Sequence, residues 1–113
     1  MATATFVHDG NAIDYTPGSA VAAGDVVLQE DLIGIARTPI AANALGSLAV
    51  AGVFDLPKAT GASTAIAAGA TVYWDVGDQV AKTDSESGAN KLLGKVVKAA
   101  ADADATVRVR LSQ

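Results

Sequence analysis

Between residues 45 and 57 the chain reads Leu-Gly-Ser-Leu-Ala-Val-Ala-Gly-Val-Phe-Asp-Leu-Pro. Leu48, Val50, Phe54 and Leu56 fall on one face of a two-residue alternation, with Gly52 between them. Ala49, Ala51, Val53 and Asp55 fall on the other. Successive side chains of a strand point to opposite faces, so this run predicts one long, half-buried strand. Shorter runs predict strands at 12–15, 26–29 and 32–37, a hairpin through 73–75 and 79–82, and a last strand at 106–112. In that last strand Val107, Val109 and Leu111 face inward, and Thr106, Arg108, Arg110 and Ser112 face outward. Thr16-Pro17-Gly18 and Val76-Gly77-Asp78 are turn sequences. Gly34 marks a bulge or a close backbone approach. No segment sustains a helical period. At most a short helical turn fits residues 63–68, where Ser63 or Thr64 could cap it.

The pattern occurs twice. Ile66-Ala67-Ala68-Gly69-Ala70-Thr71-Val72-Tyr73 copies Val21-Ala22-Ala23-Gly24-Asp25-Val26-Val27-Leu28 at an offset of 45. Leu92-Leu93-Gly94 copies Leu32-Ile33-Gly34 at an offset of 60, and residues 106–112 answer 47–53 at an offset of 59. Many short strands with closely spaced turns predict an all-β fold, a small barrel or sandwich built from two pseudo-repeated strand units. A length of 113 residues predicts one domain. Residues 1–11 are small and polar apart from Phe6 and Val7, and predict a flexible N-terminal arm.

Half of the residues count as hydrophobic, but 25 of them are alanine and only five are aromatic. Alanine buries little area, whereas each larger aliphatic contributes ~1.5–3 kcal/mol when fully buried. A thin core without cysteine, and so without disulfides, predicts help from oligomerisation. The net charge of −4 is uneven. Residues 1–56 hold six acids and one base, and residues 57–113 hold seven bases and six acids. The split could favour head-to-tail contacts between subunits; the plainer reading is a solvated surface. An acidic chain is a poor general partner for nucleic acid, whose phosphates need cations. No apolar run approaches the ~20 residues of a membrane-spanning helix, and the N-terminus lacks the pattern of a signal peptide. The sequence therefore reads as soluble, with no membrane partner and no export by the usual route.

Candidate chemistry is sparse. Residues 88–96, Gly-Ala-Asn-Lys-Leu-Leu-Gly-Lys-Val, look like a phosphate loop, but five residues separate the glycines and Val96 stands where a hydroxyl must hold magnesium. His8 is the lone histidine and has no identifiable base, nucleophile or metal partner. Asp75, Asp78, Asp84 and Glu86 could form a weak calcium loop, but their spacing is not that of a dedicated one. Turn and solubility roles fit them better. The sequence thus predicts no catalytic residue, no cofactor and no metal. Tyr73 and Trp74 must face opposite ways in a strand, one into the core and one outward as a surface pair or interface anchor. Arg108 and Arg110 could meet acids across a subunit boundary, or form a solvated edge strand guarded by charge.

Taken in order, residues 14–18, 21–27, 48–59, 69–75 and 104–111 (Asp-Tyr-Thr-Pro-Gly, Val-Ala-Ala-Gly-Asp-Val-Val, Leu-Ala-Val-Ala-Gly-Val-Phe-Asp-Leu-Pro-Lys-Ala, Gly-Ala-Thr-Val-Tyr-Trp-Asp and Asp-Ala-Thr-Val-Arg-Val-Arg-Leu) resemble the small capsid decoration, or cement, proteins of tailed phages and prophages. Some relatives carry the label RecA/RadA recombinase-like, and the broken phosphate loop argues against that label here. The resemblance implies a non-enzymatic, mostly β homotrimer on the capsid exterior, made in the bacterial cytoplasm. It would bridge major capsid subunits after the shell expands. Two other readings are a surface-displayed module for carbohydrate or host surface, and a small enzyme or recombination factor. On the decoration reading, Ala2, Thr3, Ala4, Thr5, Phe6, Val7 and His8 are the capsid-contact candidates. Ala49, Ala51, Tyr73, Trp74, Arg108 and Arg110 are the subunit-interface candidates. The small alanines of residues 45–57 would let another surface approach closely.

Overall fold

The computed structural model describes residues 4–7 and 10–112. Among these residues nine strands form two antiparallel sheets. The first sheet holds β1 (Ala12–Tyr15), β2 (Val26–Gln29), β3 (Leu32–Ile35) and β4 (Gly46–Ala49), in the order β1-β4-β3-β2. The second holds β5 (Gly52–Pro57), β6 (Thr71–Asp75), β7 (Val80–Lys82), β8 (Lys91–Lys98) and β9 (Thr106–Leu111), in the order β5-β9-β8-β6-β7. The fold is nearly all β and sandwich-like, the second of the two architectures expected. The second sheet curls until its edge strands approach at a single parallel bridge between Lys58 and Ala81, which falls short of a closed barrel. The helical turn that residues 63–68 could have held is not formed. A single 3₁₀ turn lies instead at Glu86–Gly88.

The internal repeat is written into the hydrogen bonds. Val21 N–H donates to Ile40 O and Ile40 N–H to Val21 O; Ile66 and Ala100 exchange the same two bonds. Gly24 N–H donates to Ala36 O at 2.6 Å, and Gly69 N–H to Val96 O at 2.6 Å. Val26 lies opposite Ile35, and Thr71 opposite Lys95. The offset grows from 45 to 60, and the fifteen extra residues build β7 and the 3₁₀ turn between β6 and β8. The match of the last strand slips, however. Ile35 pairs with Ala49 and Lys95 with Arg110, so the structural offset there is 61, not 59. A slip of two keeps every side chain on its face, because the strand period is two.

Residues 45–57 are not one strand. β4 ends at Ala49 and β5 begins at Gly52, and the chain changes sheets between them. Gly52 has φ +120°, a region that residues with a Cβ rarely enter. The alternation runs through the switch undisturbed, since Leu48 before it and Leu56 after it are both buried. This disguises the break in the sequence.

The main core lies between the sheets, where β3 packs on β8. Ile33 and Ile35 pack there with Val72, Trp74, Leu93, Val96, Val107 and Val109. A smaller cluster of Ala36, Ile40 and Leu48, joined by Ile13, Tyr15, Val21 and Val27, forms separately. An ion pair between Lys91 Nζ and Asp31 Oδ1, 2.8 Å long, joins β8 to the loop between β2 and β3. Gly34 does mark a close approach: a Cβ there would lie 2.7 Å from Leu48 Cβ.

Candidate functional site

The capsid-contact candidates precede β1. Ala4, Thr5, Phe6 and Val7 are exposed and lie outside any strand. Phe6 and Val7 are each 81% exposed, the highest values among the exposed large hydrophobic residues. Ala2, Thr3 and His8 lie outside the described residues.

The interface candidates do not form one surface. Trp74 is 3% exposed and packs in the main core. Tyr73, its neighbour on β6, is half-buried and lies opposite Lys82. Ala49 is buried in β4 between β1 and β3, and Ala51 is half-buried at the sheet switch. Arg108 and Arg110 are exposed and share the outer face of the second sheet. They do not lie on an edge, because β9 runs between β5 and β8. Arg108 has its acid within its own subunit: Nε donates to Asp55 Oδ1 at 2.9 Å and Nη2 to Asp55 Oδ2 at 3.3 Å. The two residues are directly opposite in register. The hydrogen bond from Arg108 is the first cause that holds the Asp55 carboxyl below its usual range. Solvent screens an exposed pair of this kind, so it adds little to stability.

The acids considered as a calcium loop do gather, around a lysine. Lys82 Nζ lies 2.8 Å from Asp75 Oδ2, 2.9 Å from Asp78 Oδ2 and 3.7 Å from Glu86 Oε2. Asp84 lies just before the 3₁₀ turn instead, accepting from Glu86 N–H at 2.8 Å. Buried Asn90 donates to Asp84 O and Glu86 Oε2. The hydrogen bond from Lys82, then that from the Asp78 amide, bring the Asp75 pKa from 3.8 to about 2. The same carboxylates raise the Lys82 ammonium well above the usual lysine range, so it stays charged throughout acid titration. A carboxyl with a depressed folded pKa stabilises the fold above its unfolded pKa, and that contribution is lost as pH falls through the folded one. Melting temperature should therefore decline between about pH 4 and pH 2, and Asp75→Asn should flatten that decline. Parallel declines in the two proteins would show that Asp75 is not the group responsible.

A second polar hub escaped the sequence reading altogether. Lys58, 5% exposed, directs its ammonium to Ala59 O at 2.8 Å, Asp104 O at 2.9 Å and Ala101 O at 3.0 Å. Thr64 Oγ1 lies at 3.4 Å. Asp102 Oδ1 accepts from the amides of Thr64 and Ala65. Lysine thus ties the loop after β5 to the loop before β9. Its partners are main-chain carbonyls, which leave no mark in a sequence.

Among the described residues no group of His, Cys, Asp and Glu is arranged to hold a metal ion. Among the described residues no helix is long and apolar enough to cross a membrane. Residues 91–96, the heart of the broken phosphate loop, lie in β8. Neither the curated proteins nor the solved structures contain a match to the chain. The model of the phage cement protein family matches residues 7–111, nearly the whole of a chain whose ordered features are strands, buried loop ties and outward-facing charge. The chain therefore belongs to the phage cement protein family.

Proposed function

We propose that this protein decorates the outside of an expanded phage head as a homotrimer and stabilises the shell by bridging major capsid subunits. The family membership carries the reading. Exposed Phe6 and Val7 on the arm and cross-strand charge on the outer face of the second sheet are consistent with it. The role is mechanical: contacts across capsomer boundaries resist internal pressure, and no step needs a catalytic group.

The arm is the proposed shell anchor. Burying Phe6 and Val7 contributes roughly 3–6 kcal/mol in all. Fixing the backbone of residues 4–7 costs roughly 4–8 kcal/mol. Apolar burial alone does not clear that cost, so the arm must also pair its backbone amides, as an added strand does. Removal of residues 2–8 should weaken co-sedimentation with expanded empty shells by at least about tenfold. Circular dichroism and melting of the free protein should change little. Equal decoration by the truncated protein would reject the arm as anchor. Absence of shell binding by the full chain would reject the function itself.

A further inference from the structure

The outer face of the second sheet is arranged in cross-strand rows. In one, Val53, Arg110, Lys95 and Thr71 follow each other across β5, β9, β8 and β6. In the next, Asp55, Arg108 and Lys98 do so. The second row holds its own acid in the Asp55–Arg108 pair. The first row does not. Arg110 and Lys95 are directly opposite and both exposed. Like charges directly opposite, with Cβ atoms about 5 Å apart, destabilise a sheet. Of the eight lysines and arginines in the chain, Lys82, Lys91 and Arg108 have acids and Lys58 has carbonyls. Among the described residues the other four, Arg37, Lys95, Lys98 and Arg110, form no ion pair; Lys98 lies close enough to Asp55 for its charge to help lower that carboxyl, which leaves Lys95 and Arg110 as the uncompensated cations on this face. Val53 is 53% exposed at the end of the repulsive row.

The complement is in the first sheet. Asp14 is exposed on β1, the sheet's edge strand, opposite Ser47. Leu45, 73% exposed, directly precedes Gly46, the residue opposite Tyr15. Of the other described acids before β5, Asp31 is paired with Lys91, Asp25 caps the amide of Ala22, and Glu30 is exposed in the β2–β3 turn, away from β1. Each half thus offers uncompensated charge beside an exposed aliphatic side chain, with opposite signs.

We propose that the Lys95–Arg110 row is a docking surface for a second copy of this chain, receiving the Asp14 carboxylate beside Leu45 of the neighbour's first sheet. The contact joins unlike surfaces, and unlike surfaces related by a rotation that closes generate a ring. It thereby specifies how the proposed trimer is held, and it rests on the self-assembly part of that reading, not on shell binding.

Carbodiimide coupling tests it, since it joins an amine to a carboxylate only in direct contact. Full-length protein, an equal mixture of ¹⁵N-labelled and unlabelled chains, is coupled both free and on expanded shells. The expected product is a Lys95–Asp14 peptide pair of mixed isotope content. Lys95→Glu/Arg110→Glu should raise the concentration needed for assembly at least about tenfold. Adding Asp14→Lys to that variant should restore assembly by exchanging the charges. Assembly undisturbed by the reversed row, or no recovery in the triple variant, would overturn the proposal. So would loss of shell binding with assembly intact, which would make an acidic shell surface the occupant. Shell co-sedimentation, read separately, keeps decoration and self-assembly distinguishable.

Discussion

Gly94→Ala should cost about 3–5 kcal/mol of folding stability, a large part of what a domain of this size possesses. Gly94 lies in β8 opposite Val72 on one side and Leu111 on the other. A Cβ there would stand 2.0 Å from Arg110 O and 2.7 Å from Ser112 N. Both are main-chain atoms of the neighbouring strand or its end, and Ser112 N–H is already bonded to Leu93 O at 3.0 Å. No side-chain rotation relieves the clash; β8 and β9 must separate. The φ of +156° adds strain for any residue with a Cβ. Overpacking typically costs 1–3 kcal/mol and a disfavoured backbone region a similar amount, so the two together reach the stated range. Gly34, its counterpart in the first repeat, would meet Leu48 Cβ at 2.7 Å, but its three nearest neighbours include no main-chain atom and its φ is outside the left-handed region. Gly34→Ala should therefore cost less. Urea unfolding of both variants measures the difference, and a Gly94→Ala loss below about 1 kcal/mol would contradict the geometry.

The repeat, the outward arginines and most strands were legible because they depend on local alternation and on turn residues. The pairing of Val26 with Ile35 and of Thr71 with Lys95 follows from copied turns, Ala22–Ala23–Gly24 and Ala67–Ala68–Gly69, which deliver the chain at the same point of each sheet. The sheet switch at residues 50–52 was hidden because alternation does not report which sheet a residue belongs to. Gly52 alone marks it, and a glycine in a strand pattern has several meanings. The position of β9 inside its sheet was hidden for a related reason. Its charged outer face reads as an edge, whereas here Arg108 is neutralised laterally by Asp55 on the true edge strand. Of the surfaces proposed to act in assembly, the arm and the arginines were visible in the sequence. Their neighbours Lys95 and Lys98 became visible only when β8 was laid beside β9. Trp74, whose aromatic character suggested an anchor, is occupied by the core.

Lys58→Met should destabilise the fold by about 2–4 kcal/mol, although methionine matches lysine closely in volume and is the more apolar of the two. An uncompensated buried polar group costs ~1–3 kcal/mol. Removal of the ammonium leaves Ala59 O, Ala101 O and Asp104 O to find new donors. Part of the lost bonding returns as water enters, which keeps the expected loss below three full penalties. The gain from burying a methyl thioether, below about 1.5 kcal/mol in transfer terms, does not offset it. The consequence extends beyond the side chain. Lys58 N–H donates to Ala105 O, and Gly61 N–H donates to Asp102 O, so both loops are held by the same few residues. Val107 and Leu56, just inside those loops, are buried on facing strands. Loosening the loops should thus expose the β5–β9 end of the core first, seen as faster amide exchange at Leu56 and Val107 than at Val109. Lys98→Met, on the exposed face, removes the same charge without an internal ligand set and should stay within about 0.5 kcal/mol. Equal losses from the two lysines would mean that net charge, not the carbonyl ligands of Lys58, sets the effect.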